Sequence, residues 1–276
     1  MKLISLASGS KGNATLIVTE ESRILVDCGI SARRAEESLK AVGLSLKDID
    51  ALLLTHEHSD HIRGVKRLMS VYDIPVYGTE GTLKSLSRVS GDEYFNYAGR
   101  EHMEAVRADR AFRIGDVEIL PFHTYHDAAE PCGYRFELTQ SAPELRTHVQ
   151  IAVMTDCGHY DDYIADHLKF LDSMLLEANH DRTMLANGPY PVYLKRRIMS
   201  SDGHLSNHAA GQLLTEILSP KLNTVMLGHL SHENNTHQKA LETVRKEIAS
   251  VYGEAAADRI GLFVAPQDGL SYMVEL

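Results

Sequence analysis

Short apolar runs alternate with polar, helix-like patterns along the whole chain. Apolar segments of about four to eight residues bounded by turn residues are typical of buried β-strands. Such segments predict strands over residues 1–6, 14–19, 23–26, 51–54, 117–122, 134–138, 149–155, 173–177, 223–227, 261–264 and 270–274. Three longer patterns predict helices: one capped by Ser31 and ended by Gly43, one over residues 207–218 after Ser206, and one over residues 236–250.

The order of these elements predicts one domain over residues 1–276. Strands are mixed with helices and no linker-like segment divides them, so we expect an α/β (α+β) chain with sheets inside and helices outside. Residues 24–29 and residues 152–158 are both apolar strands that end in Asp-Cys-Gly, and a second apolar strand follows each of them. We interpret this echo as two related β-rich halves packed face to face; chance similarity between buried strands is the alternative.

Composition limits the class of protein. The chain is 43% hydrophobic and 24% charged, which suits a globular core and argues against disorder. Cys28, Cys132 and Cys157 are far apart and odd in number, a pattern typical of reduced thiols in the cytoplasm. No stretch has the length of a membrane-spanning helix, and residues 1–6 are interpreted as a first strand, not a signal peptide. The net charge of −10 disfavours nucleic acid unless basic residues gather locally.

The strongest candidate site is the run His-Glu-His-Ser-Asp-His at residues 56–61, directly after an apolar strand. His56 and His58 are two residues apart in an extended segment, so both imidazoles can point at one ion. Asp60 and His61 follow where a helix is expected to begin, and they can turn towards a second ion. Imidazole together with carboxylate suits zinc, iron or manganese. The alternative is a polar surface turn, but four ligand-type residues after a buried strand favour a metal site.

Residues 55–61 resemble the His-x-His-x-Asp-His signature of the metallo-β-lactamase superfamily. Further motifs of that superfamily appear in the expected order: strands that end at Asp27 and Asp156, a segment at residues 122–127 that contains His126, and a strand followed by His229. The chain resembles in particular the YycJ/WalJ-like hydrolases of this superfamily, in SGSKGN at residues 8–13, HDAAEP at 126–131, GHLSN at 203–207 and GHLSHENN at 228–235.

The resemblance implies a four-layer αββα sandwich of two mixed β-sheets flanked by helices, and it implies two divalent metal ions. The implied ligands are three for the first ion, three for the second and one bridging carboxylate: His56, His58 and His126; Asp60, His61 and His229; and Asp156. Asp27 would orient one of these ligands from behind. Two points stay open, because His123 competes with His126, which we prefer, and because His180 is close enough to Glu177 in the sequence to approach the site.

Hydrolysis is the chemistry that this ligand set favours. Di-iron redox proteins of the superfamily carry a glutamate at the position of His58, so the histidine argues against redox chemistry. Two metal ions can share a hydroxide that attacks a phosphodiester at neutral pH. The candidate catalytic residues are Asp60, Glu177 and His204. The order of Glu177 and His204 resembles the later motifs of tRNA 3′-processing and β-CASP nucleases, which implies that Glu177 orients His204 and that His204 protonates the leaving oxygen. The alternative is that His204 only borders the helix cap Ser206.

One cluster of basic residues could meet a polynucleotide. Lys195, Arg196 and Arg197, with Tyr190 and Tyr193 nearby, could contact phosphates and stack on a base. The alternative for this cluster is an ordinary solvated helix face.

A second set of basic residues, Arg63, Lys66 and Arg67, follows the metal motif and could add a basic rim. The resemblance favours a nuclease or phosphodiesterase, with DNA preferred to RNA, 5′-to-3′ exonuclease action and a role in DNA repair. The alternative, which the acidic net charge favours, is a small-molecule hydrolase that cleaves a thioester, lactone or lactam. A metal-bound regulatory protein is a third possibility, but a complete ligand set argues against it.

Overall fold

The computed structural model describes residues 1–141 and 146–276. The strands are β1 (Lys2–Ala7), β2 (Ala14–Val18), β3 (Arg23–Val26), β4 (Ala51–Leu53), β5 (Val76–Thr79), β6 (Met103–Val106), β7 (Phe112–Ile114), β8 (Val117–His123), β9 (Cys132–Ser141), β10 (Arg146–Met154), β11 (Ser173–Glu177), β12 (Thr224–Gly228), β13 (Gly261–Val264) and β14 (Val274–Glu275). The α-helices are α1 (Ala32–Ala41), α2 (Ser59–Ile62), α3 (Val65–Tyr72), α4 (Glu80–Ser90), α5 (Asp162–His167), α6 (Arg182–Asn187), α7 (Val192–Ile198), α8 (Asn207–Ile217), α9 (His237–Tyr252) and α10 (Glu254–Arg259).

The strands form two mixed seven-stranded sheets, in the orders β14-β1-β2-β3-β4-β5-β6 and β13-β12-β11-β10-β9-β8-β7. In the first sheet, neighbours from β14 to β3 are antiparallel and neighbours from β3 to β6 are parallel. In the second sheet, neighbours from β7 to β10 are antiparallel and neighbours from β10 to β13 are parallel. The series β1 to β6 therefore has the same connectivity as the series β8 to β13, as expected for two related halves.

Alternating side chains of the two sheets build three apolar layers. In β3, Ile24 and Val26 face one side of the sheet and Leu25 faces the other, as the two-residue period of a strand requires. The inner faces of the two sheets meet in one cluster, in which Val26 of β3 is joined by Val153 of β10. The outer face of the first sheet packs on α1, α3 and α4, and that of the second packs on α5, α8, α9 and α10. This arrangement confirms the predicted αββα sandwich.

The three predicted helices are present, and each begins at a side-chain cap. Ser31, Ser206 and Thr236 each accept a hydrogen bond from the backbone N–H three residues further on, which satisfies one free donor of the first turn. Gly43 follows α1 with a φ of +79°, in the left-handed region that glycine tolerates. Among the described helices, none has both the length and the apolar character that crossing a membrane requires.

Two parts of the strand prediction differ from the structure. The strand predicted over residues 270–274 is wrong except at its end, because β14 covers only Val274–Glu275. The Ser271 hydroxyl accepts the Ser5 N–H over 2.8 Å and so replaces the backbone carbonyl that a regular ladder would supply. Strands β5 to β7 were not predicted. β6 and β7 lie towards the sheet edges and are largely exposed, so they carry no continuous apolar run, and β5 contains Gly78, a poor strand former.

Three strands end at residues with a left-handed backbone. Asp27 follows β3 with a φ of +58°, Asp156 lies just after β10 with +56°, and His229 follows β12 with +55°. This conformation costs a non-glycine residue roughly 1 kcal/mol or more, and aspartate tolerates it better than most. The turn sends each side chain out of its strand direction and into the loops beyond the sheet ends.

Glycines after two of these turns let other loops approach closely. A Cβ on Gly29 would lie 1.5 Å from the carbonyl oxygen of Asp60, and a Cβ on Gly158 would lie 2.2 Å from that of Ser201. Only glycine fits where backbones come so near. The Asp-Cys-Gly echo therefore has a physical role, since each copy brings a loop with candidate site residues, Asp60 in one case and His204 in the other, against a strand end.

Candidate active site

Three histidines with complementary ring tautomers form the first part of the site. His56 Nδ1 donates to Thr55 Oγ1 over 3.0 Å, because that hydroxyl gives its own proton to Asp27. His126 Nδ1 donates to a backbone carbonyl over 2.9 Å. Both rings therefore keep Nε2 as a lone-pair nitrogen, and His58 Nδ1 lies 3.2 Å from His126 Nε2. The three rings can converge on one ion.

A second group lies beside the first. His61 Nε2 is 3.7 Å from Asp60 Oδ2 and 3.2 Å from Asp156 Oδ2. His229 Nε2 is 3.6 Å from the same Asp60 oxygen. The other oxygen of Asp156 is 3.6 Å from His126 Nε2, in the first group. Asp156 thus lies between the two groups, one oxygen towards each, which is the position that a bridging carboxylate needs.

Buried residues behind the ligands hold them in place. Asp27 Oδ1 accepts the Thr55 N–H over 2.9 Å, and Oδ2 accepts both the Thr55 hydroxyl and His61 Nδ1 over 2.8 Å. Asn13 places its amide nitrogen 3.0 Å from His61 Nε2 and accepts the Gly9 N–H over 2.9 Å. Asp27 lies where the sequence predicts it. Thr55 and Asn13 were not predicted as site residues, although both belong to segments that matched the superfamily.

The electrostatics of this cluster suit cations. His56 Nε2, Asp156 Oδ2 and His229 Nε2 are buried and have no hydrogen-bond partner among the described residues. Burial lowers the pKa of His56 well below its ordinary value, so this ring is neutral and offers a lone pair. Burial alone would also lower the pKa of His229, yet Asp156, Asp60 and Glu177 together raise it to about 10. A negative potential that holds a proton so firmly also favours a metal ion, so the donor set fits divalent metal.

Glu177 connects His229 to His204. Its Oε1 accepts from Nδ1 of His229 over 2.8 Å and from Nδ1 of His204 over 2.9 Å. Its Oε2 accepts the backbone N–H groups of Cys157 and Leu205. Burial raises the pKa of Glu177, but the two histidines outweigh burial and lower it to about 2, so the group is a carboxylate. Because four donors already occupy its oxygens, Glu177 orients both rings and is poorly placed to bind an ion itself.

A model of the beta-lactamase superfamily domain matches residues 22–229. This chain belongs to the beta-lactamase superfamily. The superfamily that the motif at residues 55–61 predicted is therefore confirmed. This superfamily member is a metal-dependent hydrolase, and its His/Asp cluster is a site for divalent metal.

Relatives of this superfamily member match it over most of their length. Exodeoxyribonuclease YycJ of Bacillus anthracis is 35% identical over 243 residues, which cover 87% of this chain and 86% of that protein. Exodeoxyribonuclease WalJ of Streptococcus pneumoniae is 34% identical over 244 residues, which cover 88% of this chain and 87% of that protein. Among solved structures, Zn(2+)-bound PqqB from Methylobacterium extorquens has a TM-score of 0.69 at 18% identity, with 100% of both chains covered. This last likeness shows the fold.

The His/Asp cluster of this superfamily member opens into a cleft of about 240 Å³, which we call the active cleft. His58, Asp60, His126, Asp156 and His229 line its base, together with His204. The walls add two hydroxyls, an amide, a tyrosine and three residues of α7: Ser10, Ser231, Asn179, Tyr190, Leu194, Arg197 and Ile198. Among the described residues that line the active cleft, Arg197 is the only lysine or arginine. Apart from any bound metal ion and the histidines, the positive charge available to an anionic substrate in this cleft is therefore that of Arg197 on α7.

The structure separates the three basic residues of α7. The Arg197 guanidinium donates twice to the Asp127 carboxylate, with 3.0 Å between Nη2 and Oδ1. Lys195 Nζ instead donates to the carbonyl of Ala186 over 2.7 Å, and Arg196 is exposed; neither of them lines the active cleft. The pairing of Arg197 with Asp127 spans 70 positions, so no local pattern in the sequence could indicate it.

Two histidines that the sequence left open lie apart from the ligand groups. His126 belongs to a group of possible metal ligands, whereas His123 packs its ring against Tyr125 and belongs to none among the described residues. His180 is buried and pairs through its backbone with Ser206. Burial lowers the pKa of His180 to about 4, so the ring is neutral. The geometry favours His126 over His123 as the partner of the first group.

Proposed function

We propose that this chain is a two-metal nuclease that removes nucleotides from the 5′ end of DNA. The observation that carries this proposal is the Glu177–His204 pair, which holds the His204 ring in the active cleft, with ring centroids 5.0 Å from His126 and 5.2 Å from His229. Cleavage of a phosphodiester needs a proton for the leaving oxygen, and a positioned histidine is the commonest donor. The names of the two relatives, both exodeoxyribonucleases, support DNA as the substrate.

The ligand set fits two ions of zinc, manganese or iron: His56, His58 and His126 for one, Asp60, His61 and His229 for the other, and Asp156 between them. When bound, such ions activate water at neutral pH and place positive charge beside phosphoryl oxygens. The Nδ1–H of His204 donates to Glu177, so only Nε2 is free to act on the substrate. In the proposed step the ring carries a proton on both nitrogens, the Glu177 carboxylate stabilises that positive charge, and Nε2 gives its proton to the leaving oxygen and becomes neutral. Asp60 lines the same cleft with a carboxylate oxygen 3.7 Å from His61 Nε2 and 3.6 Å from His229 Nε2, so it would act in catalysis by helping these rings to hold the second ion.

The walls of the active cleft suit a nucleotide end. Arg197 offers a guanidinium to a phosphate, and Tyr190 offers a ring to a base. The volume of about 240 Å³ is small, which favours an end or a single strand over a long duplex held along one face. Cys28, Cys132 and Cys157 are buried free thiols, which supports a cytoplasmic location.

The first test is a substrate panel for the metal-reconstituted protein. We expect manganese-stimulated release of nucleotides from 5′-labelled single-stranded DNA, with slower release from 3′-labelled strands and weaker action on RNA. Chelator supplies the blank. If no polynucleotide is cut with any metal while a thioester, lactone or lactam is turned over rapidly, the chain is a small-molecule hydrolase and the nuclease proposal fails.

Replacing Arg197 with alanine is expected to weaken binding of single-stranded DNA by about tenfold to a hundredfold. A charge-assisted contact to phosphate contributes roughly 1.5–3 kcal/mol, and removing one such interaction reduces the salt slope by about 0.7. Fluorescence anisotropy across salt concentrations measures both quantities. Lys195→Ala removes the same charge from the same helix outside the cleft, and it should change neither affinity nor slope appreciably.

The Arg197 result has one confounding cause, because Arg197→Ala leaves the Asp127 carboxylate without its arginine partner beside the substrate. The double variant Arg197→Ala/Asp127→Asn removes that negative charge and should still bind DNA weakly. Its metal content is measured in parallel, because Asp127 Oδ1 lies 3.4 Å from His126 Nε2. If the double variant regains full affinity, or if Lys195→Ala weakens binding as much as Arg197→Ala does, then Arg197 does not bind a phosphate.

A further inference from the structure

A second concave surface, about 330 Å³ in volume, adjoins the metal motif, and we call it the α2 groove. Ser59, Arg63 and Lys66 line it from the segment that contains α2 and α3. Val89, which is 38% exposed, supplies the accessible apolar surface, because Ile62 and Phe95 line the groove but are each only 4% exposed. Asp92 adds one carboxylate. The groove thus combines two basic side chains, one acidic side chain and carbon surface directly after the metal motif.

The α2 groove continues the active cleft. Ser59 lines the groove, while His58 and Asp60 on either side of it line the cleft. The backbone stays helical through Arg63, with a φ of −51° and a ψ of −38°. Residues three and four apart on a helix are neighbours, about 5–6 Å between Cβ atoms, so Arg63 lies beside both Asp60 and Ser59. A strand with one phosphate at the metal cluster would bring its next nucleotides over the groove.

The charge of the α2 groove suits a polyanion. Arg63 is exposed and makes no hydrogen bond or ion pair with any of the described residues, so its guanidinium is free for a ligand. Lys66 lies 5.5 Å from the centre of the Tyr94 ring and pairs with Asp92, which lines the same groove, so the uncompensated positive charge of the groove is that of Arg63. The chain has a net charge of −10, so an unpaired arginine beside the His/Asp cluster gives this surface a positive charge that the chain lacks on average. Phosphate contacts of this kind position a nucleic acid without reading its sequence.

We propose that the α2 groove binds the single-stranded part of the substrate beyond the nucleotide that is removed. This proposal rests on the nuclease function proposed above. Arg63 contacts a phosphate of the strand, Lys66 adds positive charge, and the exposed Val89 contacts sugar and base carbons. The active cleft then selects the reacting end, while the groove supplies affinity that grows with strand length.

The length dependence of cleavage tests the groove. The probes are 5′-labelled single-stranded DNA of two, four, eight and twelve nucleotides, with the full-length, metal-reconstituted protein. For the unsubstituted protein, kcat/KM is expected to rise with length. Arg63→Ala/Lys66→Ala should lower kcat/KM by about tenfold on the eight-nucleotide strand and far less on the two-nucleotide strand. The slope of the logarithm of the binding constant against the logarithm of the salt concentration should decrease by about 0.7 for each phosphate that is no longer bound. Equal losses at all lengths, or none, would overturn the proposal.

Two further variants separate the groove from general electrostatics and from misfolding. Arg67 is exposed on the same helical segment but does not line the groove, so Arg67→Ala removes the same single charge as Arg63→Ala and should leave the length dependence intact, whereas Arg63→Ala should reduce it. Asp92→Asn releases Lys66 and keeps a side chain that can cap Tyr94, so it should strengthen binding of the twelve-nucleotide strand about twofold to fivefold. An Arg67→Ala effect equal to that of Arg63→Ala, or weaker binding by Asp92→Asn, counts against the groove.

The groove and the nuclease function can fail separately. If the unsubstituted protein cleaves none of these strands, the nuclease function fails. Fluorescence anisotropy of labelled twelve-nucleotide DNA still measures whether Arg63→Ala/Lys66→Ala weakens binding, so the groove is tested independently of cleavage. If the protein cleaves all of them and Arg63→Ala/Lys66→Ala behaves like the unsubstituted protein, the nuclease function stands and the groove proposal falls.

Discussion

Replacing Asp156 with alanine is expected to remove bound metal and activity together. The unsubstituted protein, purified without chelator, should hold near two equivalents of zinc, iron and manganese combined, and Asp156→Ala should hold almost none. The reason is position: one oxygen of Asp156 is 3.2 Å from His61 Nε2 and the other is 3.6 Å from His126 Nε2, so both ligand groups lose a carboxylate. Metal ions supply several kcal/mol of transition-state stabilisation, so activity should fall by about 10³-fold or more.

Two controls separate metal loss from damage to the backbone. Asp156 has a φ of +56°, a conformation that asparagine accepts and alanine does not, so Asp156→Asn removes the charge without adding strain. His123→Ala removes a histidine near His126 that lies outside the ligand groups, and it should keep its metal. Elemental analysis after reconstitution with each metal supplies the measurement. A value near zero for the unsubstituted protein would falsify the metal site itself.

The centre of the site could be predicted because its residues are close in the sequence. A strand that ends at a turn fixes where His56 and His58 point, and α2 then carries Asp60 and His61, so a local motif specifies half of the cluster. The Asp-Cys-Gly echo marked the strand that ends at Asp156, whereas the superfamily resemblance implied its role as a ligand. Short-range geometry was sufficient only for the residues of the 56–61 motif.

The hydrogen bonds that aim the ligands could not be predicted. Thr55 fixes the His56 ring only because Asp27, on another strand, takes the hydroxyl proton. Arg197 reaches the active cleft while Lys195 and Arg196 do not, although the three are consecutive, because α7 turns one face to the cleft. Such distinctions depend on how elements pack and on which side of a helix faces them.

The edges of the sheets were the other part that the sequence did not specify. Central strands such as β3 and β11 are buried on both faces and each contains three consecutive large apolar residues, so their pattern is strong. Two of the four residues of β6 are exposed, so its sequence has no apolar strand pattern. It forms a strand because its backbone pairs in parallel with that of β5. At the other edge, the Ser271 hydroxyl shortens β14 through one side-chain hydrogen bond with β1. Tertiary pairing, and not local propensity, decides these strands.

Replacing His204 with alanine is expected to leave the metals bound and to lower turnover of DNA by about 10² to 10⁴, the range for a lost proton donor. His204 is also close enough to Asp156 and His229 to be considered as a metal ligand. Its Nδ1 lies 3.6 Å from Asp156 Oδ1. However, that Nδ1 donates to Glu177 over 2.9 Å, so this nitrogen has no lone pair to offer to an ion. Loss of turnover without loss of metal is therefore the result expected of a proton donor.

The leaving group provides the deciding measurement for His204. Thymidine 5′-monophosphate p-nitrophenyl ester releases an acidic phenol that needs little protonation, whereas DNA releases a deoxyribose oxygen that needs much. If His204 supplies the proton, His204→Ala should lower the turnover rate by 10² to 10⁴ on DNA, but by a much smaller factor on the nitrophenyl ester. Glu177→Gln, which keeps the side-chain shape but loses the charge that orients His204 and His229, should fall between His204→Ala and Asp156→Ala in metal content. A His204→Ala protein as metal-poor as Asp156→Ala, or equally slow on both substrates, would make His204 a ligand and leave the leaving oxygen without a donor in this cleft.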